Sequence, residues 1–118
     1  MTGRFTATAR PTPTGVVLRF AGELDAAAAP EARRVIVGLV LERGQHLVLD
    51  LSGLAFCDSS GISALLAARN TAIAADAGIA LVAVPPGLAR TFALIGLAEA
   101  FATYPTVEDA DSAWTARS

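Results

Sequence analysis

Asp58, Ser59, Ser60 and Gly61 form a short polar island inside AFCDSSGIS, between two apolar stretches. Three chemistries suit that set. A short acid or hydroxyl caps a helix by accepting from an orphan amide. A serine on a turn attacks an electrophile when a base takes its proton. An accessible hydroxyl accepts a phosphate that another protein delivers.

Capping is compatible with the other two, but two serines plus an acid exceed what a cap needs. Gly61 is an odd choice for a first helical turn because it weakens helix propensity, and it makes sense where another surface comes close to the turn. Nucleophilic catalysis needs a base. His46 is the only histidine, and it opens the strand whose far end feeds Ser59. Five strand residues at ~3.3 Å each separate the two by about 16 Å, whereas a general base works at ~3 Å. The order Cys57-Asp58-Ser59-Ser60-Gly61 also lacks the leading glycine of a nucleophile elbow. Cys57 reads as a packing residue, and His46 as a structural one. Asp50 and Asp58 have no further ligands for a metal, so neither a metal nor a cofactor is expected, and no catalytic residue is assigned. In the third chemistry, a phosphate on Ser59 adds about −1.5 to −2 charges beside Asp58. The helix dipole tolerates the added charge, whereas a partner surface matched to a neutral hydroxyl does not. That makes a switch without refolding.

The chain around the island sets the class. It has 118 residues, 53% hydrophobic and 17% charged, so one folded domain spanning 1–118 is expected and disorder is not. All nine basic residues are arginines, scattered except for Arg33 and Arg34, and the net charge is −2. No basic stripe suits nucleic acid. One cysteine excludes an internal disulfide and two-cysteine zinc signatures. MTGRFTATARP lacks a leader's apolar region, and no apolar run reaches the ~20 residues that span a bilayer. A soluble, cytoplasmic protein without membrane contact is expected, and its alanine-rich surface predicts a monomer.

FTATAR and VVLRFAG, joined by PTPTG, read as an edge hairpin, since Pro11 and Pro13 do not fit a central ladder. From 26 to 43 the period becomes helical through Ala32, Val35, Ile36, Leu39 and Val40. Asp25 is placed to satisfy the first amides, Pro30 sets a start near Ala29, and Gly44 supplies the stop. HLVLDLSG is a strand covered on both faces, and LSGLAF is the loop leaving it. A helix begins within DSSG with Ile62, Leu65, Leu66, Arg69 and Ile73 on its core stripe, and ends at Asp76 and Gly78. IALVAV is a strand closed by Pro85 and Pro86. A short helix from about Gly87 carries Leu88, Phe92 and Ile95 inward. FATYP is a weak strand, and VEDADSAWTA is a helix with Trp114 packed inward. This order predicts an α/β fold, a mixed sheet covered by helices with an N-terminal hairpin. Its ligand-facing loops lie beyond the carboxyl ends of the parallel strands, where DSSG sits.

Three segments, GELDAAAAPEARR (22–34), HLVLDLSGLAFCDSSGISALL (46–66) and GIALVAVPPGLARTFALIGL (78–97), resemble in order the STAS-domain anti-sigma factor antagonists of bacteria. The resemblance implies a non-enzymatic binding protein of STAS fold. It implies that Ser59 is phosphorylated by an anti-sigma factor that is also a serine kinase. It further implies that the unphosphorylated form binds this kinase and frees a sigma factor, and that a separate phosphatase restores phosphorylated Ser59. Asp25, Asp58, Ser60, Gly61 and Arg90 are the implied partner-binding residues, and Arg69 is a candidate for the same rim unless its charge only reaches outward from the core stripe. The alternative is a constitutive STAS interaction module, such as a cytoplasmic regulator of a lipid transporter or signalling complex.

Overall fold

The protein, seen in a computed structural model, is described over residues 4–117; the first three residues of the segment read for a leader lie outside that range. Strands β1 (Thr6–Thr12) and β2 (Gly15–Leu24) form the expected antiparallel hairpin, with β1 at the sheet edge where Pro11 is tolerated. The remaining elements are α1 (Ala29–Val37), β3 (His46–Cys57), α2 (Ser59–Ala74), β4 (Gly78–Val82), α3 (Pro86–Leu94), β5 (Ala102–Tyr104) and α4 (Val107–Ala116). The five strands lie in sequence order, and β2 to β5 run parallel. Parallel crossovers are right-handed, so a sheet that grows in one direction puts all its crossover helices on one face.

The core has that asymmetry. Leu18, Phe20, Leu47, Leu49, Leu51 and Leu81 project to the face covered by Ile36 of α1, Leu65 and Ala68 of α2, and Leu88 and Phe92 of α3. The intervening strand residues Val17, Val48, Ala80 and Val82 project to the opposite face, under Ala110 of α4. Each fully buried leucine contributes roughly 1.5–3 kcal/mol, so the three crossover helices are held chiefly by the first face.

Four sequence expectations need correction. Helix α1 ends at Gly38, not Gly44, and Val40 is exposed. Glycine stops the helix six residues early because its backbone freedom disfavours the helical state by about 1 kcal/mol relative to alanine. LSGLAF is not a loop, since β3 runs unbroken to Cys57. Its pairing with β2 shifts between Arg19 and Ala21 and again between Gly22 and Glu23, each time adding a residue on β3. Those bulges break the two-residue alternation that identifies a strand by sequence. Ile73 of α2 and Ile95 after α3 are both more than half exposed. The true inner face of α2 is Gly61, Ile62, Ala64, Leu65, Ala68 and Ala72, where glycine and the alanines let the helix lie close to the strands.

Candidate functional site

Where β2 and β3 end side by side, Leu24 is the ladder partner of Cys57. One residue beyond each strand stands an aspartate, Asp25 and Asp58. Adjacent strands are ~4.8 Å apart, so the two acids flank one another at the carboxyl pole. The Asp58 amide donates to the Leu24 carbonyl at 3.3 Å, tying the two strand ends together.

Asp58 is the N-cap of α2. Its Oδ1 accepts from the amides of Ser60 at 2.9 Å and Gly61 at 3.1 Å. Ser59 is the first helical residue and its side chain is exposed, whereas Ser60 is half-buried. Of the two hydroxyls, the first therefore faces outward. Gly61 is buried, and a β-carbon on it would stand 2.5 Å from the Leu24 carbonyl oxygen and 2.6 Å from Cys57 Sγ. The surface that comes close to this glycine is the chain's own β2 end, so Gly61 contributes tight packing to the turn.

Asp25 accepts from the Ala28 amide at 3.0 Å through Oδ1, while its carbonyl accepts from Ala29 at 2.8 Å. It shapes the approach to α1, whose N-cap position is Ala28. With Phe5, Ala27, Ala28 and Glu31 it lines a shallow depression beside the serine turn. Arg90 is exposed on α3. Arg69 does not join the rim, because its Nε donates to the Ala100 carbonyl at 2.9 Å and pins α2 to the segment before β5. Among the described residues the ion pairs are Arg34–Glu31 and Arg43–Asp76, so no arginine neutralises Asp25 or Asp58.

The surroundings supply little for catalysis by Ser59. With β3 twelve residues long, His46 stands roughly 36 Å from the strand's far end at ~3.3 Å per residue, more than twice the expected separation. Burial, reinforced by the Asp58 charge, pushes the Cys57 thiol up to about 11, so it stays protonated at neutral pH. Asp50 Oδ1 accepts from the Ser52 amide. Among the described residues no three histidine, cysteine or acidic side chains converge on a metal position, and no helix is long and apolar enough to cross a membrane.

Sequence reasoning missed a groove. Leu54, Phe56 and Cys57 of β3 face Pro85, Leu88 and Thr91 across a cavity of about 300 Å³, and Phe56 is half exposed at its edge. The available signal was a large aromatic two residues before Asp58, hidden because its segment read as a loop.

The mixed sheet with three helices on one face and one on the other is a fold shared with known proteins. The STAS domain profile matches residues 6–110, and the chain belongs to the STAS-domain family. An anti-sigma factor antagonist from Mycobacterium paratuberculosis is 30% identical over 96% of both chains, with a TM-score of 0.83. The anti-sigma factor antagonist SpoIIAA in its unphosphorylated form is 25% identical over 92% of this chain and 94% of its own, TM-score 0.71. The phosphorylated form of SpoIIAA, a Bacillus cell fate determinant, is 26% identical over 92% of this chain and 97% of its own, TM-score 0.67.

Proposed function

We propose that this protein is a cytoplasmic anti-sigma factor antagonist. It binds an anti-sigma factor with serine kinase activity while Ser59 is free, and is released when that kinase phosphorylates Ser59. A phosphatase returns it to the binding form, and sigma-factor availability follows the balance of the two. The protein acts by binding and not as an enzyme.

The observation that supports this reading most is the division of labour in the turn. Ser59 is exposed while the Asp58 carboxylate holds the amides of Ser60 and Gly61. A phosphate on Ser59 therefore meets amides already engaged, beside a carboxylate with no arginine partner among the described residues. The helix dipole offsets about 0.3–1 kcal/mol of the cost, and the rest of the charge faces whatever docks on the carboxyl pole. Asp25, Ser60 and Arg90 complete the docking surface in this proposal, with Gly61 holding the turn in place from beneath.

Incubation with a kinase-type anti-sigma factor and ATP, read by intact mass, is the test. One phosphate on the native protein and none on Ser59→Ala is expected. A phosphate on any other residue refutes the assignment, and no uptake with kinase binding unchanged in Ser59→Asp favours the constitutive module instead.

A further inference from the structure

At the opposite pole of the sheet, His46 is 4% exposed and its Nδ1 is buried without a hydrogen-bond partner among the described residues. Its ladder neighbour on β4 is Gly78. The indole of Trp114, from the last turn of α4, stacks on the imidazole with centroids 4.3 Å apart and planes 4° from parallel. A β-carbon on Gly78 would lie 2.3 Å from the same indole. Histidine and glycine on adjacent strands thus make the slot that receives α4's largest side chain, and any residue larger than glycine closes it.

We propose that this slot is a proton-operated latch: adding a proton to His46 releases the last turn of α4 while the rest of the sheet stays folded. A second N–H on the imidazole would be a buried donor with no acceptor. Leaving such a group unmet is costly, and more so when it is charged. Stacking on indole favours a cation, but the Arg117 guanidinium already lies 3.5 Å from the centre of that ring. Among the described residues, the charged groups that bear on His46 are Asp111 of α4 and Arg117 just past its end; the neighbouring Thr14, Gly15 and Gly78 carry no charge. Asp111 favours the cation, yet its carboxylate is engaged by the Thr14 hydroxyl at 3.3 Å. Burial outweighs it and, with Arg117, holds the imidazole below its ordinary range.

The end of helix α4 is the element that gives way. The helix's only buried residue is Ala110, and it shares no strand ladder. β3, by contrast, is bonded to strands on both sides. A histidine depressed in the docked state contributes nothing against docking above about pH 6.5, and docking weakens as pH falls through that value, by up to about tenfold per pH unit. Opening uncovers the His46 imidazole and Gly78 at that end of the sheet's second face.

The sequence contains one tryptophan and one histidine, so the probe and the trigger are each unique. The emission maximum and acrylamide accessibility of Trp114 are to be followed from about pH 8 to about pH 5 alongside imidazole NMR, bracketing the free-histidine value. A protonated imidazole also dims indole, so intensity is not the readout. A red shift and rising accessibility below about pH 6.5 are expected, with far-UV dichroism largely retained and no transition in His46→Gln. The same transition in His46→Gln, or a flat tryptophan signal while the imidazole titrates, overturns the latch. Should His46→Gln not fold, the native protein decides: coincident midpoints support the proposal, and separated midpoints overturn it.

Discussion

The backbone oxygen of Leu24 stands where a side chain on Gly61 would begin, 2.5 Å from the position of its β-carbon. The end of β2 thereby holds the first turn of α2 from below, and the serine above it faces solvent. Gly61→Ala is expected to destabilise the fold by about 1–3 kcal/mol, the range for overpacking a tight site. Urea unfolding checks it, and a loss under half a kilocalorie would mean the turn can move aside.

Asp58 both caps α2 and carries charge, and two substitutions separate these roles. Asp58→Ala removes the acceptor for Ser60 and Gly61 and should cost about 0.5–2 kcal/mol. Asp58→Asn keeps an acceptor oxygen and should recover most of that loss in the same denaturation assay. Equal losses would show that the carboxylate charge, not the cap geometry, stabilises the turn.

At Ser59 the effects of stability and recognition come apart. The side chain is exposed, so Ser59→Ala and Ser59→Asp should unfold within about 0.5 kcal/mol of the native protein. Calorimetry against a kinase-type anti-sigma factor should nonetheless show Ser59→Asp about tenfold or more weaker, and Ser59→Ala near native. Equal affinities would remove the charge-based account of release.

Cys57 should be slow to alkylate. A thiol held at about 11 has roughly a hundredfold less thiolate at pH 8 than an ordinary cysteine. Iodoacetamide labelling should therefore lag a free thiol by about that factor in the native protein and match it in urea. Rapid native labelling would place the sulfur outside the packed turn.

Leu65 is fully buried on the inner face of α2. Leu65→Ala should cost about 2–5 kcal/mol, more than the loss of the Asp58 cap. Thermal unfolding followed by dichroism would register it.

The residues alone carried a good deal. Alternating composition and the two prolines gave the edge hairpin, helical spacing placed α2, and the DSSG island marked a helix start with a hydroxyl in its first turn. These features are local, set by propensity and pattern over a few neighbouring residues. Tertiary structure decided the rest. Bulges made by pairing with β2 turned LSGLAF into strand and brought Phe56 to a groove edge. The neighbour that requires Gly61 lies 37 positions earlier in the chain, at Leu24, and the slot for Trp114 is cut by His46 and Gly78 from two other strands. Which residues meet across strands depends on register and crossover hand, which no stretch of neighbouring letters contains.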